Sequence, residues 1–226
     1  MRCTWRLENR ARAEGRQRIA GADEVGRGSL FGPVVAAAVI LDPARRIRGL
    51  NDSKQLDAER RRQLDAQVRA SAVSFAVAAV DAARIDQLNI YHASRLAMRR
   101  AVLALRPRPD LVLVDALKLD LPWDVEQRAI IHGDALSVSI AAASIIAKVY
   151  RDALLCEWDA VYPEYQLASN KGYLTPQHMA AIERCGITPL HRRNYAPVSA
   201  AALFPPPADA VLETLPLFPS QFPDEE

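Results

Sequence analysis

The 226-residue chain has only three cysteines, Cys3, Cys156 and Cys185, and they stand far apart. Such spacing supplies neither a disulfide framework nor a metal knuckle, so a reducing, cytoplasmic compartment is expected. Glycine is scarce, nine residues against fifteen prolines, which excludes a fibrous or glycine-rich protein. No uninterrupted apolar run approaches the ~20 residues that cross a bilayer. The basic start, MRCTWRLENRARAEGR, has no apolar segment behind it and is not a secretory signal. No Gly-Lys-Ser/Thr phosphate loop is found. The nearest approach to a dinucleotide fingerprint, Gly26, Gly28 and Gly32, is one residue too long and leads into a strand-like run.

What is present is charge, unevenly placed. Residues 1–18 hold six Arg against two Glu, residues 197–226 hold five acids and no Lys or Arg, and the body between them is mildly basic, at +3. An acidic tail therefore masks a body that suits an anionic partner, provided its basic residues cluster. The length predicts one domain with appendages, and composition divides it into a basic arm or short helix at 1–17, a body at 18–198 and a Pro-rich acidic tail at 199–226.

Three apolar segments read as strands: 18–25, the buried run VVAAAVIL at 34–41, and the alternating SAVSFAVAAV at 71–80. A charged helix precedes the third. Helical spacing then covers 83–105 and is stopped by Pro107 and Pro109. DLVLVDA (110–116) and QRAIIHGD (127–134) are further strands, and 137–158 is a long helix whose Ala141, Ala142, Ala143, Ser144 and Ala147 permit close packing. A last helix follows Pro176 and ends at Gly186. The order predicts an α/β fold: a mixed sheet, with an antiparallel meander followed by parallel strands, flanked by helices and continued by a helical C-terminal part.

Four acids stand at strand ends. Asp23 and Glu24 close the first strand, Asp115 closes LVLVD, and Asp134 lies nineteen positions further on, before the long helix. Each has an ordinary reading alone: a solvated strand end, a strand-terminating acid, a helix N-cap. Together, beside the Gly26-Arg27-Gly28 turn that offers main-chain N–H groups and a guanidinium to an anion, they suggest more. Clustered carboxylates repel unless protonated or bound to cations. Two divalent ions balance four carboxylates, as in two-metal phosphoryl chemistry, and all-oxygen ligation favours Mg²⁺ or Mn²⁺ over zinc.

AGADEVGRGSLFGPVVAAAVIL, GLNDSKQL, LVLVDA, IIHGDALSVSIAAASIIAKVYRD, NKGYLTPQH and TPLHRRNYAPV resemble, in order, the successive motifs of the ribonuclease HII family, over about residues 18–198. The resemblance implies a ribonuclease-H-like fold. It also implies cleavage of the RNA strand of RNA–DNA hybrids, and nicking beside single ribonucleotides in duplex DNA to give 5′-phosphate and 3′-hydroxyl ends. It makes Asp23, Glu24, Asp115 and Asp134 the catalytic, metal-binding acids. Gly26, Arg27 and Gly28 become the loop at the ribonucleotide–DNA junction, and Tyr173 the ring that stacks on the following deoxyribose. Asn51, Ser53 and Lys54 fall near the DNA backbone, with Lys171, Arg192 and Arg193 as phosphate contacts. His178 and His191 are expected to pack or hydrogen-bond rather than ligate. By analogy the protein is a monomer with no membrane association.

The chain departs from the family pattern at Phe31 (usually Ala), Ala116 (Gly), His132 (Lys) and Leu174 (Gly). Residues 212–219, LETLPLFP, resemble a peptide that docks on the bacterial replication sliding clamp, without its leading Gln. Rival readings are a nuclease restricted to another substrate, a hybrid-binding module without catalysis, and an α/β scaffold whose acids are caps.

Overall fold

The run Val34–Ile40 forms strand β2, buried along its whole length. Its alternate residues serve two opposite layers, Val34, Ala36 and Ala38 in one and Val35, Ala37 and Val39 in the other. A strand covered on both faces reads as a continuous apolar run. The computed structural model describes residues 3–203 and shows a five-stranded sheet in the order β3-β2-β1-β4-β5. β1 (Ile19–Val25), β2 and β3 (Ser74–Val80) form the antiparallel meander. β4 (Leu111–Asp115) and β5 (Glu126–Ile130) add parallel to β1. The expected mixed sheet is therefore observed.

Helices α3 (Ala82–Leu88) and α4 (Ile90–Ala104) cover one face, through Ile85, Ala97, Met98 and Val102. The other face takes α1 (Arg6–Ala13), α2 (Ala58–Ser71) and α5 (Val138–Val161). α5 lies against β1 because neither side has bulk there: a Cβ on Gly21 would overlap the main chain of Ser139. α6 (Leu167–Asn170), α7 (Pro176–Cys185) and α8 (Ala196–Ala202) gather around Phe31, Leu155, Tyr165 and Ile182 in a separate cluster.

Several boundaries differ from the sequence reading. The single helix expected over 83–105 is two, because Asn89 takes a left-handed φ of 66° and caps α4, its side chain accepting from the N–H groups of Tyr91 and His92. β5 stops at Ile130, since His132 (φ 57°) turns the chain out of the sheet. Residues 199–202, grouped with the tail, belong instead to α8, which starts at Ala196 and buries Val198; Pro197 is tolerated in its first turn, where the missing N–H has no partner to lose. Of the two readings of the N-terminus, the helix is observed. Glu8 is buried, and its Oε1 accepts from the Ser137 hydroxyl (2.5 Å) and the Ser139 N–H (3.0 Å), which puts a carboxylate at the positive end of α5. Among the described residues no helix is long and apolar enough to cross a membrane.

Gly21→Ala is expected to destabilise the protein by about 3 kcal/mol, because main chain cannot move aside as a side chain would. Urea unfolding checks this; a loss below about 1 kcal/mol would show that α5 is free to slide on β1.

Candidate active site

β1 and β4 run parallel, so their C-terminal ends reach the same edge of the sheet. β1 brings Asp23 and Glu24 there, and β4 brings Asp115. Asp134 sits on the turn Gly133–Ala135 that follows β5. Asp115 Oδ1 accepts the Gly133 N–H at 2.8 Å, so the third acid ties down the turn that carries the fourth. Asp134 is not the cap of α5; Ser137 is, its Oγ accepting from Ile140 N–H at 3.2 Å. All four acids line one cavity of about 600 Å³, together with Gly26, Arg27, Gly28, Ser53, Lys54 and Tyr173. Adjacent residues of an ideal strand face opposite ways. Asp23 and Glu24 share the cavity because the strand ends at Val25 and Gly26 (φ 90°) turns the chain.

The carboxylates are poorly solvated. Asp23 is only 5% exposed, and burial, then the charges of Glu24 and Asp115, push its carboxyl well above the usual range against the pull of the Ser144 hydroxyl. Burial also raises Glu24; Arg27 opposes the rise, its Nη1 donating to Oε1 at 3.2 Å, and Asp115 adds to it. Asp134 is raised by burial, then by Asp52 and Asp115, with Lys54 opposing. Glu24 Oε2 is buried and has no hydrogen-bond partner. An anionic oxygen left in this way is costly, and a cation would complete it. The donor set is entirely oxygen, which fits Mg²⁺ or Mn²⁺. Among the described residues no three His, Cys, Asp or Glu side chains stand close enough to enclose an ion unaided. A hard cation that keeps waters and substrate phosphate among its ligands needs only one or two of them.

Two buried arginines hold the Gly-Arg-Gly loop. Arg151 of α5 donates to Pro33 O (3.1 Å), Lys171 O (3.0 Å), Phe31 O (3.1 Å) and Ser29 Oγ (2.7 Å), and its Cζ lies 5.8 Å from the Tyr173 ring centroid. A side chain at Gly26 would collide with Arg151. Arg192 donates to Gly32 O and Arg27 O, both at 2.9 Å. Arg192 is therefore a correction to the sequence reading: it is fully buried and clamps the loop from behind, so it is not available to phosphate. Asn51, Lys171 and Arg193 also lie outside the cavity lining. Asn51 Nδ2 donates to Gln55, the Lys171 ammonium turns to Cys156 Sγ at 3.5 Å, and Arg193 is exposed beside Asp86. Ser53 is in the lining but buried, its Oγ 2.9 Å from Ser144 Oγ. The sequence reading missed Ser144, Lys148 and Arg151. Their signal is spacing: polar residues at i, i+4 and i+7 put one polar stripe on an otherwise apolar helix.

The histidines do pack and hydrogen-bond. His191 Nδ1 accepts the Thr188 N–H (2.9 Å), so its Nε2 carries the proton and donates to His178 Nε2 (3.3 Å); His178 Nδ1–H then donates to Tyr173 O (3.0 Å). This neutral relay holds the main chain of Tyr173, whose ring is 37% exposed toward the cavity. Phe31, one of the departures from the family pattern, is the hub of the same region, edge-on to His191 at 4.9 Å and to Trp158 at 5.8 Å. Ala116 and His132 both adopt positive φ (51° and 57°), and Leu174 is exposed.

A family model described as Ribonuclease HII matches residues 20–198. A Ribonuclease HII of Koribacter versatilis (strain Ellin345) is 59% identical over 202 residues, which cover 89% of this chain and 79% of the relative. The ribonuclease H2 of Pyrococcus horikoshii OT3 superimposes with a TM-score of 0.72 at 26% identity, over 82% of this chain and 97% of that one. The RNase HII of Archaeoglobus fulgidus, solved in complex with PCNA, shares the fold with a TM-score of 0.66 at 24% identity, over 81% and 96%.

Burial pushes His191 down to about 3 and lowers His178 as well. Histidines kept neutral by folding stabilise fully above the unfolded value of ~6.5, and that stability is lost as pH falls below it. We expect His191→Gln to flatten this acid-side loss, by about 1 kcal/mol between pH 7.5 and 5.5, when its urea midpoint is compared with the parent at both pH values. Parallel pH profiles would contradict the relay.

Proposed function

The chain belongs to the ribonuclease HII family, and on that premise we propose that it nicks duplex DNA on the 5′ side of single embedded ribonucleotides, by two-metal-ion hydrolysis that leaves 5′-phosphate and 3′-hydroxyl ends. Family membership makes it a metal-dependent endoribonuclease that cleaves the RNA strand of RNA–DNA hybrids. The observation that carries the finer reading is one cavity in which Asp23, Glu24, Asp115 and Asp134 meet the Gly26–Gly28 loop and Tyr173, with Glu24 Oε2 buried and unpartnered.

The four acids would hold the cations, Mg²⁺ or Mn²⁺. When bound, two divalent ions supply a water of lowered pKa and charge stabilisation for the leaving 3′-oxygen. The chain's own residues select and orient the substrate. Gly28 is exposed and carries no side chain, so its main chain can approach a 2′-hydroxyl, the group that separates RNA from DNA. Arg27, bound on one side to Glu24, is half exposed and open to a phosphate. The Tyr173 ring, backed by the Arg151 guanidinium and carried on a main chain that His178 holds, offers a flat apolar face to the deoxyribose that follows the ribonucleotide. Lys54 offsets the acids' charge at the cavity wall. We place this activity in a cytoplasmic monomer.

A matched set of duplexes with zero, one and four ribonucleotides tests the reading. The parent protein is expected to cut the second and third in Mg²⁺ or Mn²⁺ and to spare the first. Asp23→Asn should cut about 10³-fold more slowly or worse, yet melt about 2–4 °C higher in EDTA at pH 8, because a buried carboxylate facing like charges is gone. Retained turnover in Mn²⁺ would remove Asp23 from the chemistry, and a single-ribonucleotide duplex left uncut would refute the nicking activity.

We extend the proposal to a sliding-clamp partner at residues 212–219, which lie outside the described residues. The Archaeoglobus fulgidus protein was solved with PCNA, and a short apolar island in an acidic tail suits a hydrophobic groove. Deleting residues 205–226 is expected to abolish clamp binding in a pull-down and to leave oligonucleotide cleavage within about twofold; clamp binding that survives the deletion defeats the assignment.

A further inference from the structure

The catalytic cavity is not the main concentration of arginine. The loop after β2 reads DPARRIRGL (42–50), with Arg45, Arg46 and Arg48 all exposed. Two hollows meet on this loop. One, of about 1000 Å³, is walled by Cys3, Trp5, Arg46, Arg48, Leu50 and Val138. The other, of about 710 Å³, is walled by Arg45, Arg46, Arg48 and Arg60 among others.

Two guanidinium groups lie over a single indole: Arg46 Cζ stands 5.2 Å and Arg12 Cζ 5.4 Å from the Trp5 ring centroid; Trp5 and Arg46 line the larger hollow, and Arg12 lies outside both linings. Arg12 Nε and Nη1 are buried without a hydrogen-bond partner. Burial lowers the Arg12 pKa, Glu8 resists the fall and Arg46 adds to it. Glu8, four residues earlier on the same helix, keeps its Oε2 buried and unpartnered, and its charge answers that of Arg12. Glu8 Oε1 serves Ser137 and Ser139, and Asp42 Oδ1 accepts from Ala44 N–H at 2.8 Å. Arg46 and Arg48, exposed beside this ring, are stabilised by an anion with several acceptor oxygens.

The hollow opens beside the catalytic site. Leu50 precedes the Asn51–Lys54 loop, and Val138 lies four residues after Asp134. Burial, then the charges of Glu8 and Asp134, push the thiol of Cys3 in its wall up to about 12.

We propose that the 42–50 loop and Trp5, the residue before α1, form a second phosphate-binding groove, in which Arg46 and Arg48 grip the sugar–phosphate backbone of the duplex beyond the cleavage site. The groove adds affinity and reach and takes no part in the chemistry. It rests on the reading of the substrate as a nucleic-acid duplex, and its ligand class is the phosphodiester backbone without regard to base sequence.

The test uses the full chain with Arg46→Gln and Arg48→Gln together, both exposed. Binding is read by fluorescence anisotropy, in an Asp23→Asn background with Mg²⁺, on duplexes of ~12 and ~30 base pairs carrying one central ribonucleotide. The double variant is expected to bind the long duplex about tenfold more weakly at 100 mM KCl, with a log–log salt slope shallower by about 2, since each phosphate contact contributes roughly 0.9. Binding to the short duplex should change less than twofold, and so should its cleavage by the same double variant with Asp23 intact. An unchanged salt slope on the long duplex overturns the groove. So does an equal loss on both lengths, which would mark a diffuse charge effect. Phosphatidylglycerol vesicles are the third arm: vesicle binding lost in the variant while duplex binding stands would reassign the patch to a membrane surface and overturn the proposal. If the parent protein cuts no ribonucleotide-containing duplex, the nicking function fails, whereas the two-length binding comparison still decides the groove.

Discussion

Gathering carboxylates away from water costs free energy, and the architecture around the site follows from that cost. Asp23 and Glu24 are adjacent, nearly buried and within the field of Asp115. Left alone, such a group would spread its acids into solvent or collapse around protonated ones. Here each acid is attached to something stiff. β1 is locked between β2 and β4 by six antiparallel and four parallel residue pairs, and α5 presses on it at Gly21, where no side chain intervenes. The sheet core absorbs the repulsion, and the site keeps a standing demand for positive charge.

The buried arginines work at the opposite sign. Arg151 and Arg192 place guanidinium groups in the interior without a carboxylate hydrogen bond, and main-chain carbonyls of residues 27–33 and 171 accept five of their N–H groups, while Arg192 Nη2 stays buried without a partner. An isolated buried cation would be expensive; distributed over so many carbonyl dipoles it becomes a fastening. Arg151 belongs to α5, Arg192 to the segment between α7 and α8, and both close on one loop. The Gly-Arg-Gly turn is thereby held at the junction of the sheet and the helical end, and its glycines stay free of side chains that would collide with Arg151 or crowd Tyr173.

How far the sequence revealed this depends on the kind of signal. β2 was legible because a strand buried on both faces has a composition that few other elements share, and the parallel placement of β4 and β5 followed from the crossover order. The four acids were legible as strand-end residues beside a glycine-rich turn. The role of Arg192 was not, because a phosphate-binding arginine and a carbonyl-binding one look alike in sequence, and only burial separates them. The break at Asn89 was hidden for a related reason. Asparagine is tolerated in a helical pattern, and its left-handed φ with a double N-cap is decided by the packing of α3 and α4. Phe31 read as a departure from the family pattern; in the fold it is the residue around which Trp158, Tyr162, Tyr165 and the two histidines arrange their rings.

One backbone feature joins these strands of argument. Four of the site's side chains stand within two residues of a left-handed residue: Gly26 (φ 90°) after Glu24, Ala116 (φ 51°) after Asp115, His132 (φ 57°) before Asp134, and Lys171 (φ 52°) with Gly172 (φ 75°) before Tyr173. A regular strand or helix would carry each of these groups past the cavity along its own axis; a left-handed turn stops the element and swings the chain so that the group is left at its mouth. For Ala116, His132 and Lys171 this costs about 1–2 kcal/mol each relative to an ordinary conformation. Such strain persists only where neighbours over-determine the geometry. Ala116 N–H is held by Ile130 O at 3.1 Å, and the Lys171 carbonyl by Arg151. The bonds that hold the strained turns thus belong to the same network that positions the acids and the loop. Loosening one of them would release backbone strain and misplace a catalytic group in a single motion, which couples the strain to the like-charge crowding at the same edge of the sheet.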